Sequence, residues 1–388
     1  SEKQNYRRWP RELHPNNALG QRVTRDIMRA RAACFFATPC GRGCSIGANF
    51  QSPTVLLPPA LATGNLTIRT DAMVFEVSSN AKGQANGVGF IDRITGKQHH
   101  VRARVVILAA SACESARIML NSKSNAHPNG IGNASGLVGK YIMDTVGADL
   151  LGQFPIMENM PPHNADGASA MHMYMPWWLY QEQAKGQLDF ARGYHIEFGG
   201  GRRMPQGGHF SSVEAMNGGN YGQQLKEDCR RYYGSFIGFS GRGEMIPNED
   251  CYCTIDGEQK DKWGIPTLKF HWRWSDHELN QARHMHATFR TIIESVGGRV
   301  MGEVATDGAR AIKKPGEIIH EVGGARMGDN PATSVLNQFC QSWQVPNLFV
   351  TDGAGFVSNA DKNPTLSIMA NAWRSADYLV QEMRARNL

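Results

Sequence analysis

The sequence has no long apolar run. Nothing in its 388 residues approaches the roughly 20 consecutive apolar positions that cross a bilayer, so no membrane-spanning helix is expected. The opening residues, Ser1 to Arg8, lack a hydrophobic signal segment and an initiator Met, so the chain is read as processed, cleaved or partial. Cysteine is sparse: eight residues over this length do not make a disulfide scaffold. Charge of one sign is also modest, at a net +6. The densest basic stretches, Arg7–Arg8 to Arg11 and Arg22 to Arg31, are not interleaved with aromatics, which argues against a nucleic-acid partner. Disorder, collagen and coiled coil are excluded by 41% apolar content and 42 aperiodic glycines. What is present is a loop-rich chain long enough for two domains, or for one domain carrying an inserted one.

Residues 1–33 read as polar and irregular, with a short helix around Arg22–Ala33, and residues 34–53 as a Cys/Gly-rich loop. Strand-like segments then follow at Leu66–Asp71, Met73–Val77, Gly87–Asp92 and His100–Leu108, separated by turn residues such as Asn80 and Asp92…Gly96. The last ends in the continuous apolar run Val105–Ala110, suited to a buried parallel strand, and Ala112–Leu120 reads as the helix after it. From about residue 144 to 310 the texture turns to Met, Trp, Tyr and His, with a strand at Tyr233–Phe239. A helix begins at the capping box Ser275/Glu278 and ends at Gly297–Gly298. A strand at Asn347–Asp352 and a final helix from Pro364 to about Arg384 close the chain.

Two C-terminal segments carry the chemistry. One contains His320 in Ile319-His-Glu-Val-Gly-Gly-Ala-Arg-Met-Gly; the other runs from Asn347 through Asp352-Gly353 to Asn363-Pro364-Thr365-Leu366. A carboxylate and a bare backbone at a strand end, Asp352–Gly353, can meet a ligand's hydroxyl or phosphate groups. Asn363 as N-cap with Pro364 at the first helical position opens a helix whose free N–H groups favour an anion. His320 is a side chain able to take a hydroxyl proton near neutral pH.

Together these segments resemble the C-terminal signature of the glucose–methanol–choline (GMC) oxidoreductases, nearest to glycoside 3-dehydrogenases and gluconate dehydrogenase large subunits. Upstream, Pro58-Pro-Ala-Leu-Ala-Thr-Gly-Asn-Leu-Thr-Ile-Arg and Val105 to Leu120 are similar to the family's flavin-domain middle section. The resemblance implies an α/β fold: a Rossmann-like FAD-binding domain, incomplete here (1–143 and 311–388), interrupted by an α+β substrate domain with an antiparallel sheet (144–310). It implies His320 and Asn363 as the catalytic pair. FAD would be held by Val74, Ala109, Ala110, Asp352, Gly353, Asn363, Pro364 and Thr365. The implied reaction is dehydrogenation of a CH–OH group of a sugar or glycoside, hydride going to flavin N5 with His320 as general base. The rival readings are a non-catalytic or complementing fragment of such an enzyme, and an oxidase using O2.

The family's opening Gly-X-Gly-X-X-Gly unit does not occur. Gly41-Arg-Gly-Cys-Ser-Ile-Gly and Gly130-Ile-Gly-Asn-Ala-Ser-Gly have the wrong spacing and follow no buried strand, so a separate, cleaved or missing N-terminal flavin-binding segment is expected as partner. Cys34, Cys40 and Cys44 either hold a [3Fe-4S] cluster, as in some relatives that pass electrons to a cytochrome beside a small subunit, or are free cysteines in a loop. Cys251 and Cys253 read as strand residues. His271, His277, His284 and His286 show no metal-ligand spacing and read as a wet helix face. The aromatic stretch 174–180 is either core or a stacking platform for a sugar ring. The compartment is left open between periplasm, reached through a partner, and cytoplasm.

Overall fold

The computed structural model describes residues 40, 44, 47–161, 173–201, 209–218 and 221–388. The chain divides into two compact units. The smaller comprises Ser1–Thr70, Ile156–Met173 and Gly200–Phe236. Its described part includes the helices Leu57–Leu61, His209–Asn217 and Gly222–Tyr232. Arg231 of the last helix bonds Glu158 at 2.7 Å. The expected helix at Arg22–Ala33 lies outside the described residues.

The larger unit comprises Asp71–Pro155, Tyr174–Gly199 and Ile237–Leu388. In chain order it begins with β1 (Ala72–Ser79), β2 (Ala85–Asp92), β3 (Gln98–Arg102), β4 (Val106–Leu108) and helix α1 (Ala112–Asn121). Then come β5 (Val146–Gln153), β6 (Met173–Met175), β7 (Tyr194–Gly200) and β8 (Phe236–Gly243). The hairpin strands β9 (Tyr252–Lys260) and β10 (Pro266–His271), helix α2 (Asp276–Ser295), β11 (Arg299–Met301), β12 (Leu348–Val350) and helix α3 (Thr365–Arg384) complete it.

Local chemistry explains these elements. β1, β2 and β3 form an antiparallel meander. Asn80 Oδ1 accepts from the amides of Lys82 and Gln84, and Asp92 Oδ1 from those of Ile94 and Thr95, so both turns close on Asx side chains as their composition predicts. Two expectations fail. Leu66–Asp71 forms no strand; extended residues become a strand only where a neighbour accepts their ladder bonds. The predicted strand His100–Leu108 is two. Asn347 supplies the break: its side-chain amide donates to the carbonyls of Ala85 (2.7 Å) and Arg104 (2.8 Å), pinning the corner where β3 leaves the meander and β4 begins.

β4 pairs in parallel with β12, and α1 covers them with Ala112, Ala116, Ile118 and Met119. On the second sheet, of order β11-β5-β8-β7-β6, lies α2. Its start carries both halves of the expected capping box, and Gly297, at φ +73°, follows its end. Phe289 and Ile293 of α2 are fully buried, and the Phe289 ring lies tilted against Phe239 with centroids 6.0 Å apart. The architecture is therefore mixed α/β with antiparallel sheets, as expected. No helix among the described residues is long and apolar enough to cross a membrane.

Candidate functional site

His320 sits half-buried in the irregular segment between the Gly308–Ala311 turn of helix and β12. The residue before it, Ile319, has φ +58°. A β-branched side chain in that left-handed region costs on the order of 1–3 kcal/mol and persists only where its surroundings dictate it. Here they do. The buried carboxylate of Asp144 accepts from the amides of Thr145 (2.8 Å), Gly316 (3.0 Å) and His320 (3.1 Å). The side-chain amide of Asn359 donates to the His320 carbonyl at 3.1 Å and to Thr145 Oγ1 at 3.3 Å. The ring itself is oriented by Thr145, whose Oγ1 lies 3.2 Å from Nδ1. In the tautomer that donates Nδ1–H to Thr145, Nε2 is left with its lone pair outward. Downstream, Gly323 (φ +86°) must be glycine, since a Cβ there would meet the Tyr141 carbonyl at 2.1 Å.

Burial holds the His320 ring below its ordinary 6.5, helped by the charges of Arg242 and His195 and opposed by Glu197 and Glu321. A neutral imidazole near pH 7 is the form a general base requires.

A row of alternating charge runs beside it across the second sheet. Lys313 Nζ meets Asp149 on β5 at 3.0 Å, and Asp149 meets Arg242 on β8 at 3.6 Å. Arg242 Nε lies 3.7 Å from Glu197 on β7, and the other oxygen of Glu197 lies 3.3 Å from His195 Nε2. His195 Nδ1 then faces Asp361 at 3.5 Å, an ion-pair distance without a well-formed hydrogen bond. Asp361 pairs with Lys362 at 2.5 Å. Burial opposes charge on His195, but Asp361 and Glu197 outweigh it and its pKa is raised, the reverse of His320. Sequence reasoning missed these residues, along with Thr145, Asp144 and Asn359. The available signal was Tyr194-His-Ile-Glu-Phe, where two polar residues at strand period share one face of an otherwise apolar strand.

The predicted cofactor positions at the strand ends do come together. Thr351 N donates to the Leu108 carbonyl (2.9 Å), placing Ala109–Ala110 beside Asp352–Gly353. Asp352 accepts from Ser115 Oγ (2.5 Å) and from Ala354 N (2.8 Å), while Ser115 Oγ also takes the Ala110 amide (3.1 Å). Ser111, at φ +81°, turns the chain sharply into α1 and leaves Ala109–Ser111 exposed. Val74 lies on β1 next to a bulge at Phe75 and packs against the core.

At the second C-terminal segment the cap moves by one residue. Helix α3 starts at Thr365 with Pro364 as N-cap and no side-chain cap bond, so Asn363 is not the cap. Proline's fixed φ of −77° is already helical there. Asn363 is exposed, and none of the bonds around His320 involves it.

Of the cysteine loop, Cys40 and Cys44 are described, whereas Cys34 lies outside the described residues. Cys44 Sγ accepts from the Asn49 amide at 3.5 Å. Among the described residues no group of three or more His, Cys, Asp or Glu could hold a metal ion. Cys253 is a buried strand residue as expected, its thiol pushed up to about 12 by burial. The wet-face reading holds for exposed His277 but is corrected for His284 and His286, and His271 lies on strand β10 rather than on the helix. His286 is buried and accepts from the Ala305 amide, and His284 Nδ1 lies 2.7 Å from Tyr194 Oη within a cluster of Trp177, Phe190 and Tyr194. The aromatic stretch divides: Trp177 joins that cluster, while Tyr174 and Tyr180 stay exposed.

Comparison with known proteins matches residues 14–152 and 247–372 to two sections of the family described as GMC oxidoreductase. A 2-methyl-1,2-propanediol dehydrogenase from Mycolicibacterium austroafricanum is 29% identical over 325 residues, 83% of this chain and 55% of its own. A gluconate 2-dehydrogenase flavoprotein from Pantoea cypripedii is 27% identical over 335 residues, 85% of this chain and 53% of its own. A C-glycoside 3-oxidase from Arthrobacter globiformis is 25% identical over 307 residues, covering 78% and 51%. Among solved structures, a formate oxidase from Aspergillus oryzae RIB40 superposes with a TM-score of 0.58 at 14% identity, covering 83% of this chain and 62% of that one; it is similar in fold. The chain spans just over half the length of these curated relatives.

Proposed function

We propose, from the premise that this chain belongs to the GMC oxidoreductase family, that it forms the catalytic part of an FAD-dependent enzyme oxidising a CH–OH group of a sugar or related polyol. The observation that carries this reading is His320: an imidazole whose burial favours the neutral form, held by Thr145 and Asp144, with no hydrogen bond to Nε2 among the described residues. Relatives named for diols, gluconate and C-glycosides support a hydroxylated substrate.

The donor set fits a flavin. Exposed backbone at Ala109–Ala110, the Asp352 carboxylate beside Gly353, and the helix start, where Asn363 and Pro364 lead into first-turn N–H groups from Thr365 onward, supply hydroxyl partners and donors for an anionic ring edge. When bound, FAD supplies the hydride acceptor. The chain's own residues do the rest. His320 Nε2 takes the hydroxyl proton, Thr145 keeps the ring in the tautomer that can accept it, and Asn363 donates to the same oxygen. In this reading residues 1–143 and 311–388 serve the cofactor and 144–310 the substrate. A further segment completing the pyrophosphate site and a partner subunit belong to the same proposal; a gluconate 2-dehydrogenase "flavoprotein" and a fructose dehydrogenase "large subunit" among the relatives support the latter.

The test is the visible spectrum of the full-length protein before and after anaerobic addition of a panel of glycosides and polyols. A flavin band bleached by one of them is expected. His320→Ala should keep the band and slow its bleaching by about 10²–10⁴-fold, the range for loss of a general base. Unchanged bleaching in that variant removes His320 from its role. Oxygen uptake during turnover separates oxidase from dehydrogenase.

A further inference from the structure

We infer that His195 is a positioning residue: as an imidazolium it clamps the segment 359–363 to strand β7 and so holds Asn363 in place. The inference rests on the role proposed above for Asn363 only for its catalytic consequence; the clamp stands on geometry.

His195 is buried, and each ring nitrogen faces a carboxylate oxygen, Glu197 at 3.3 Å and Asp361 at 3.5 Å. A neutral ring would aim a lone pair at one of them. Only the doubly protonated ring offers an N–H to both. The charges around it balance that state. Arg242 from β8 sits against Glu197, and Lys362 against Asp361. Tyr174 from β6 packs edge-on at 5.9 Å, with Lys362 Nζ 5.8 Å from its ring centroid. The remaining nearby groups are His320, whose field is felt with that of His195, and Glu244, which faces Asp361 and Lys362.

The segment thus has two anchors. Asn359 ties it to His320 and Thr145, and Asp361 ties it to His195. Two residues beyond the second anchor is Asn363, exposed and without a side-chain hydrogen bond among the described residues. Without the His195 anchor, the stretch between Asn359 and buried Pro364 would lose its side-chain tie to strand β7. The charge on the ring also gives the clamp a pH dependence. The folded-state pKa is raised above 6.5, so the stabilisation is complete below 6.5 and is lost as pH rises through the raised value.

Amide hydrogen exchange of the full-length protein, read by mass spectrometry on peptides covering residues 356–366, tests this. His195→Gln and Asp361→Asn should each speed exchange there by about tenfold or more, while peptides of α2 keep their protection. The double variant should exchange no faster than either single one, because both break the same contact. After correction for intrinsic chemistry, raising the pH above 6.5 should loosen the segment in the wild type and leave His195→Gln unchanged. Equal exchange in the wild type and both single variants, or the same pH response in His195→Gln, overturns the clamp. Neither readout uses bound flavin or turnover, so a failed clamp is distinguishable from a failed dehydrogenase reading.

Discussion

Helices α2 and α3 are both 20 residues long and both amphipathic, yet their fates differ. In α2 seven side chains are buried, among them Met285, Phe289 and Ile293, and Ser275 with Glu278 closes its N-terminus. In α3 only Ser375 is buried. Its apolar residues Leu366, Met369, Trp373, Val380 and Met383 recur at helical spacing but stay exposed, Leu366 at 78%. On β4, Ile107 is likewise 49% exposed although its neighbours Val106 and Leu108 are buried. An apolar stripe says that a helix has a face to cover; it does not say what covers it.

The largest effect expected from this contrast is at Phe289. Phe289→Ala should destabilise by about 3–5 kcal/mol, the usual result of emptying a fully buried aromatic site, measurable by urea unfolding. A loss under about 1 kcal/mol would mean that the α2 contact is far looser than its burial implies. Acid should act on the same helix. Burial holds His286 below its ordinary 6.5, so its contribution is present above 6.5 and lost as pH falls through the lowered value. A His286→Gln variant, which cannot charge, should lose less stability between neutral and mildly acid pH than the wild type does. An equal acid response in both would remove His286 as a cause.

Ser275→Ala comes next, at about 1 kcal/mol, since it opens the capping box. The smallest effect belongs to α3. Leu366→Ala should shift stability by no more than about 0.5 kcal/mol, as for other exposed substitutions. A loss several times larger would break the comparison, because it would show that this face is covered in solution.

The two histidines repeat the contrast within one site. His320 was singled out in the sequence because it stands in a glycine-rich segment, His-Glu-Val-Gly-Gly-Ala-Arg-Met-Gly, that resembles a family signature. Its supports were not. Asp144, Thr145 and Asn359 lie far from it along the chain or in unremarkable contexts, and only folding makes them neighbours. His195 gave a weaker sign still, a His-x-Glu pair in a strand, and its second partner Asp361 is 166 positions away, by the difference of the two residue numbers. His284 and His286 misled for the opposite reason. Their spacing placed them correctly on a helix, but polarity alone suggested solvent where Tyr194 and the Ala305 amide wait as partners.

Local chemistry determined much of this protein in advance: the Asx turns at Asn80 and Asp92, the capped start and glycine end of α2, the parallel strand after Val105, and the histidine that can carry a proton. These depend on groups within a few residues of one another, so their cost and gain are readable from adjacent letters. Tertiary structure decided the rest: the break between β3 and β4 under Asn347, the left-handed turn at Ile319, and the opposite pKa shifts of His320 and His195. Each of these depends on which groups from distant segments share a buried space. The free energy of a charge or a backbone bond is set by those neighbours, not by its place in the chain.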